Sequence, residues 1–388
     1  MKTVLLRGPV LTKSGYGVHT RQIFSYLKTK NVEVAVQPLH WGMTPWYLNR
    51  SSCEGLIGDI VGSSSFDPNK KYDVTIQVQL PNEWDASLGK YNIGVTAGVE
   101  TDFANPNWTN LHVNKMDKVI VPSEFTKKSL TKKGNAITDI EVIPEAYFSE
   151  LSKKPKKDPY SRLLKTDFNF LTVGVLTGNR PATDRKNLFY LIKWFKEAFE
   201  GNEDVGLIIK TNSGRDTEID KKMTRGLLQS VLQELNHEGA PSIYLLHGGM
   251  TRSEMNELYK SKKVKAYLSA TRGEGFGLPL LEAAVTGLPV IATDWSAHTE
   301  FLNKGKWVKI ENTLKPVSQE KLDKNIFLEG MRWAEIDEGD FKRKIQKFYD
   351  NNSLPRKWAE KLSKILREEY SQEKINELYD NVLKEILD

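Results

Sequence analysis

The residues best equipped for chemistry stand together in Arg272-Gly273-Glu274-Gly275-Phe276-Gly277-Leu278-Pro279-Leu280-Leu281-Glu282. An apolar run over 264–269 leads into this glycine-rich turn, and a helical pattern starts just after it, with Pro279 at an early position where a missing N–H is tolerated. A turn between a strand's carboxyl end and a helix's amino end offers backbone amides and the positive end of the helix dipole, which suit a phosphate. Gly273, Gly275 and Gly277 let a ligand approach the backbone closely. Glu282 lies eight residues beyond Glu274, about two helical turns. Two carboxylate acceptors so spaced suit the hydroxyls of a hexose and of a ribose. A dinucleotide site fits less well, because the last glycine of G-x-G-x-x-G is absent.

Elements on either side must hold this turn in place. Short β-rich apolar runs alternate with helix-period segments along the chain, the pattern of parallel βαβ units. Strands are predicted at 3–7, 32–37, 73–78, 93–97, 119–122 and 140–143, forming one doubly wound sheet. A second sheet is predicted from strands at 170–176, 205–211, 243–247, 264–269 and 289–293, with helices such as 187–199 and 218–235 between them. Lysines, prolines and polar residues over 152–167 interrupt the pattern and mark an interdomain linker. From Pro355 onward, apolar residues at helical spacing (Trp358, Leu362, Ile365, Leu366) predict a long amphipathic helix or a kinked pair.

A chain of 388 residues, 39% hydrophobic and 27% charged, suits two globular domains and neither a disordered nor a membrane-embedded protein. The apolar run at Val4-Leu5-Leu6 is too short for a signal peptide, and no stretch approaches the roughly 20 apolar residues of a membrane span, so a cytoplasmic location is expected. The single cysteine, Cys53, excludes an internal disulfide framework and a multi-cysteine metal site. The net charge of +6 is clumped at Lys127-Lys128, Lys132-Lys133, Lys153-Lys154-Pro155-Lys156-Lys157 and around Lys260. Such clumps attract phosphates, anionic membrane surfaces or nucleic acid; solvated loops and helix faces are the plainer reading.

The run from Glu274 to Glu282 resembles the E-x7-E motif of retaining glycosyltransferases of family 4. The resemblance implies the GT-B fold: an α/β protein of two Rossmann-like doubly wound parallel-sheet domains facing a cleft, with a C-terminal helix crossing back. It also implies that Glu274 and the amides of Gly275, Phe276 and Gly277 hold the donor sugar, and that Glu282 binds the nucleotide ribose. Arg272, Gly273 and Leu278 flank that donor site. Upstream, Leu171-Thr172-Val173-Gly174 followed by Arg185-Lys186-Asn187-Leu188 is similar to the family's strand-loop-helix, in which an arginine and a lysine neutralise the diphosphate. Lys186 matches the lysine. The arginine usually follows the glycine directly, where this chain has Val175, so either Arg180 or Arg185 substitutes or the contact is absent. A leaving nucleoside diphosphate does develop charge that cations must offset. His247 and Gly248 end a strand where the family contacts the base, largely through backbone.

In the first half, Ser14-Gly15-Tyr16-Gly17 resembles the family's amino-terminal loop that closes over donor phosphates. Glu100, with Asp102 beside it, matches the position after the fourth strand that turns an acidic or histidine side chain toward the reacting sugar. A carboxylate capping the next helix is the alternative.

The domains expected are 1–160 for the acceptor, 161–350 for the donor and 351–388 as an amphipathic helix packing back toward the first. The implied activity is transfer of a sugar, with retention, from a UDP-, GDP- or ADP-sugar to an acceptor hydroxyl. No compact Asp-x-Asp motif occurs, so no obligatory metal or other cofactor is expected. A saccharide or lipid-linked saccharide is the expected acceptor, with peripheral membrane contact through the lysine clumps. The alternatives are transfer to a modified, hydroxymethylated base in DNA, which requires base flipping, and a sugar-nucleotide-binding protein, phosphorylase or epimerase of GT-B fold.

Overall fold

The alternating pattern resolves into parallel strands joined by helices. The computed structural model describes residues 1–178, 180–234 and 239–388. Its contacts divide the chain into one unit of Met1–Ala146, Asp323–Met331 and Tyr370–Asp388, and a second of Tyr147–Leu322 and Arg332–Glu369.

The first unit runs β1 (Lys2–Gly8), α1 (Gly15–Leu27), β2 (Val32–Pro38), α2 (Leu56–Gly62), β3 (Tyr72–Val78), β4 (Gly89–Val95), β5 (Lys118–Val121), α3 (Glu124–Thr131) and β6 (Ile140–Val142). Among the described residues these strands form a six-stranded parallel sheet in the order β2-β1-β3-β4-β5-β6. Helix α1 starts where the Ser14 hydroxyl accepts the Gly17 N–H at 3.0 Å. Gly17 is obligatory there, since a Cβ would lie 2.3 Å from the Thr12 carbonyl oxygen. One sheet face carries Val4, Leu6, Val74, Ile76 and Ile93, packed against Ile23 and Phe24 of α1. The opposite face is polar near the strand ends. There Gln77 exchanges hydrogen bonds with the Asp85 backbone at 2.7 and 2.8 Å, and Thr75 donates to Asn92 at 2.8 Å. Strand β4 ends at Val95 and not at residue 97, because the Ala97 N–H turns to the Tyr16 hydroxyl.

The second unit runs α4 (Tyr160–Leu163), β7 (Phe168–Val173), α5 (Leu188–Ala198), β8 (Val205–Thr211), α6 (Glu218–Glu234), β9 (Ser242–His247), α7 (Arg252–Tyr259), β10 (Val264–Ser269), α8 (Leu278–Val285), β11 (Val290–Thr293), α9 (His298–Leu302) and β12 (Val308–Ile310). The hairpin β13 (Asn312–Pro316) with β14 (Arg332–Ile336) and the helices α10 (Glu338–Asp350) and α11 (Ser353–Glu369) follow. Among the described residues its main sheet is six-stranded and parallel, in the order β12-β11-β10-β7-β8-β9. The expected end of the second helix at residue 235 lies outside the described residues. The core is aromatic: the Phe170 ring lies 5.7 to 5.9 Å from Phe195, Phe199 and Phe348.

One connection differs from expectation. The 152–167 segment is an ordered part of the second unit, with Tyr160 and Leu164 buried and Lys260 donating to the Leu151 and Lys153 carbonyls at 2.6 Å each. Its lysines and prolines mimic a linker because they face outward. The tail, expected as a long helix or a kinked pair, is the pair: it breaks where Ser371 caps a new helix, α12 (Gln372–Leu387). Helix α11 packs on α8 in the second unit, while Ile375, Tyr379 and Leu383 of α12 enter the first unit's core. Burying each such side chain contributes about 1.5 to 3 kcal/mol.

Candidate active site

In the second unit the strand order reverses between β7 and β10, and ligands of open α/β sheets bind outside the carboxyl ends of strands at such a point. The loop after β7 supplies Arg185 and Lys186, and the loop after β10 supplies Arg272 to Gly277. The Lys186 Nζ lies 2.7 Å from Glu274 Oε1 and 2.8 Å from Oε2. Arg185 donates to the Gly273 carbonyl at 2.6 Å and reaches Glu274 Oε2 at 3.4 Å. Glu274 is 5% exposed. Burial alone would lift its pKa, but the charges of Lys186 and Arg185 and the Lys186 hydrogen bond outweigh burial and hold it at about 2.

Buried Asp184 shapes the cationic loop. Its carboxylate accepts from the Thr177 N–H and hydroxyl at 3.0 and 2.8 Å, and from the Leu188 N–H at 2.7 Å at the start of α5. Arg272, 1% exposed, pins the same loop from below: its guanidinium donates to Glu335 at 2.5 Å and to the Pro181 and Asp184 carbonyls at 2.7 Å each. It also lies over the Trp333 ring. Arg272 therefore braces the loop that carries Arg185 and Lys186, while Arg180 stands exposed at the rim in a 2.9 Å pair with Glu320.

The Glu274 backbone is held from a third loop. Its N–H donates to the Ser296 hydroxyl oxygen at 2.9 Å, and its carbonyl accepts from Ala297 at 3.2 Å. Ser296 adopts φ 81°, a left-handed conformation rare for a non-glycine residue and often found at functional sites. Buried His298 lies behind it, with Nδ1 3.4 Å from the Ser296 Oγ and Nε2 2.7 Å from the Thr293 carbonyl. The second contact requires Nε2 to carry the proton, leaving Nδ1 as an acceptor.

Gly277, φ 98°, opens α8, and Glu282 follows on that helix. The Tyr259 hydroxyl donates to Glu282 Oε2 at 3.0 Å. Burial pushes the Glu282 carboxyl up to about 7, against the opposing effect of that hydrogen bond. Phe276 packs on Phe301 with ring centroids 5.6 Å apart, and Leu278 is likewise buried, so both side chains serve the core. At the β8 and β9 ends, His247 Nε2 lies 3.0 Å from the Ser213 carbonyl. Gly248, φ 110°, accepts at its carbonyl from buried Lys210 at 2.6 Å.

In the first unit, Gly15 is exposed at the start of α1, and the Tyr16 hydroxyl meets Thr96 Oγ1 and the Ala97 N–H, each at 3.0 Å. Glu100 stands in the turn beyond Gly98, φ 64°. Asp102 pairs with Lys132 at 2.9 Å.

Sequence reasoning missed Asp184, Ser296, His298, Lys210 and Tyr259. Lys210 had a signal, being a charge directly after the apolar run Leu207-Ile208-Ile209. Among the described residues, no group of three or more His, Cys, Asp or Glu side chains is placed to hold a metal ion, and no helix is long and apolar enough to cross a membrane.

Residues 180–326 match the family described as Glycosyl transferases group 1. The chain is similar to an uncharacterized glycosyltransferase of Methanocaldococcus jannaschii, 29% identical over 178 residues, 46% of this chain and 37% of that protein. It is also similar to the GtfA subunit of UDP-N-acetylglucosamine–peptide N-acetylglucosaminyltransferase from Streptococcus gordonii, 28% identical over 232 residues, 58% of this chain and 38% of that one. The chain thus spans about two fifths of the length of these curated relatives. Among solved structures, sucrose-phosphate synthase from Thermosynechococcus elongatus superposes with a TM-score of 0.67 over 100% of this chain and 99% of that one, at 14% identity. The chain therefore carries a Glycosyl transferases group 1 domain over residues 180–326, set in an α/β architecture of the GT-B kind.

Proposed function

We propose that this protein is a retaining glycosyltransferase of family 4 that moves a sugar from a nucleoside-diphosphate sugar to a hydroxyl of a saccharide, without an obligatory metal ion. The observation that carries the reading is Glu274, buried at the strand-order reversal of the second unit between Lys186 and Arg185. Glu274 positions the donor sugar, and Glu282 accepts hydrogen bonds from the ribose hydroxyls. Lys186 and Arg185 offset the charge that develops on the leaving diphosphate. The anomeric carbon's bond to the diphosphate oxygen breaks as its bond to the acceptor oxygen forms on the same face, and the acceptor hydroxyl's proton passes to the departing diphosphate oxygen. Glu100 lends polarity on the acceptor side.

The donor class is supported by the Streptococcus gordonii relative, whose name specifies UDP-N-acetylglucosamine, so a uridine nucleotide heads the order of testing. Several lysines of the clumps are engaged internally: Lys132 pairs with Asp102, Lys133 lies 3.7 Å over the Phe103 ring, and Lys260 binds two carbonyls. That weighs against a phosphate-tracking surface and favours a saccharide over DNA as the acceptor.

A thermal-shift panel of UDP, GDP, ADP and CMP with their sugar conjugates tests the donor site, because a ligand that binds the native state raises Tm by mass action. A shift with one nucleotide family, lost in Glu282→Ala, is expected. No shift with any nucleotide at millimolar concentration would remove the reading.

A further inference from the structure

The first unit carries an aromatic surface to which the catalytic scheme above gives no role. Between β2 and α2 the chain reads His40-Trp41-Gly42-Met43-Thr44-Pro45-Trp46-Tyr47-Leu48. This segment is anchored to the β1–α1 loop. Leu39 donates to the Gly8 carbonyl at 2.9 Å, Lys13 to Pro45 at 2.8 Å and Tyr47 to Leu11 at 2.8 Å, and Thr12 bridges Trp46 in antiparallel fashion. On that frame the half-buried Trp41 ring stacks on Tyr16, centroids 4.0 Å apart and planes 25° apart, and His40 lies 4.9 Å from the Trp46 ring.

Tyr16 ties this shelf to the sheet through its contacts with Thr96 and Ala97 at the end of β4, just before the turn that carries Glu100. Burial pushes the Tyr16 phenol well above its ordinary pKa, so it stays a neutral partner. Next to the shelf, Met43 is 69% and Leu48 91% exposed.

Aromatic and apolar groups held on a braced frame and left open to water mark a binding surface. The face of a pyranose ring is a patch of C–H groups bordered by hydroxyls, and it packs on the electron-rich face of an indole. We infer that Trp41, backed by Tyr16, forms an acceptor subsite that takes one pyranose ring of a saccharide, with His40 and Lys13 within the same segment pair to meet its hydroxyls. The inference rests on the glycosyltransferase reading and gives its saccharide acceptor a residue to bind. Trp41 selects the acceptor, and its stacking partner Tyr16 is hydrogen-bonded to Thr96 and Ala97, just before the turn that carries Glu100.

The test uses the full chain without donor. Tryptophan fluorescence and an immobilised panel of gluco-, galacto-, manno- and N-acetylglucosamine oligosaccharides read glycan binding to wild type, Trp41→Ala and Trp41→Phe, with circular-dichroism melting to show that each is folded. Wild type should bind at least one glycan, Trp41→Ala should weaken it by about tenfold or more, and Trp41→Phe should keep most of it. Equal binding by Trp41→Ala, or no glycan bound by wild type, overturns the proposal. Binding to phosphatidylglycerol–phosphatidylcholine vesicles that is lost in Trp41→Ala, without glycan binding, overturns it in favour of a membrane-facing loop. The nucleotide thermal shift on the same preparations separates the two readings. Trp41-dependent glycan binding without any nucleotide shift leaves the subsite standing and removes the glycosyltransferase.

Discussion

The Lys186 ammonium spans both carboxylate oxygens of Glu274, at 2.7 and 2.8 Å, across a sequence separation of 88 residues. The pair joins the loop after β7 to the loop after β10, where the strand order reverses. Cation and carboxylate come from different chain segments, so the site exists only in the folded sheet. A bound diphosphate would share Lys186 with Glu274, linking sugar positioning to leaving-group stabilisation in one contact.

Removing one partner of this buried pair leaves the other charge poorly compensated. Lys186→Ala is expected to lower unfolding free energy by about 3 to 5 kcal/mol at neutral pH, measured by urea denaturation, and to weaken nucleotide binding as well. Lys186→Ala with wild-type stability would show that the pair is not formed in solution.

The pH dependence of stability has two carboxylates with opposite signs. The folded Glu274 pKa is depressed to about 2, so its contribution is fully present above the ordinary value near 4.5 and is lost as pH falls from there toward 2. The shift is worth about 3 kcal/mol. Glu274→Gln should flatten this acid limb in denaturation curves taken as pH falls from about 4.5 to about 2, the window the two values define.

Glu282 has its folded pKa raised to about 7, so its burial costs nothing at low pH and destabilises progressively as pH rises from about 4.5 to 7. Glu282→Gln should therefore be more stable than wild type above neutrality. The ribose-binding role needs the carboxylate, so nucleotide affinity in wild type should increase as pH rises through 7, and in Glu282→Gln it should not. Calorimetric titration at several pH values reads both.

Ser296 holds the Glu274 N–H while adopting φ 81°. Ser296→Gly should relieve backbone strain but orphan that donor, whereas Ser296→Ala keeps the strain and loses the acceptor, costing about 1 to 3 kcal/mol. Both should raise the donor KM more than they disturb folding. If Ser296→Ala leaves KM and kcat at wild-type values, the contact does not position Glu274.

Much of this was legible in the sequence, for physical reasons that also mark where legibility stops. Strands such as Val205–Thr211 and Val264–Ser269 are covered on both faces and read as near-continuous apolar runs with sharp ends. The β13–β14 hairpin is short, with only Leu314, Trp333, Ala334 and Ile336 apolar apart from Pro316, and it gave no signal. Glu274 and Glu282 could be singled out because they share one short motif, whereas Lys186, 88 residues from Glu274, was singled out only through the resemblance of its own strand-loop-helix segment. That Arg185 lies beside Glu274 while Arg180 pairs with Glu320 was not legible, because the Asp184 hydrogen bonds shape the loop that places them. Arg272 read as a ligand contact because its partner Glu335 is remote in sequence. Ser296 and His298 were hidden likewise, as their role depends on a third loop meeting Glu274.

The most direct test of the central claim is to follow nucleoside-diphosphate release from the sugar nucleotide that gives the thermal shift, with and without glycan acceptors, and to determine the product's anomeric configuration by NMR. The account predicts acceptor-dependent release, a product with the donor's configuration, and a loss of about 100-fold or more in Glu274→Ala. An inverted product, or a donor that binds but is never turned over with any acceptor, would contradict it.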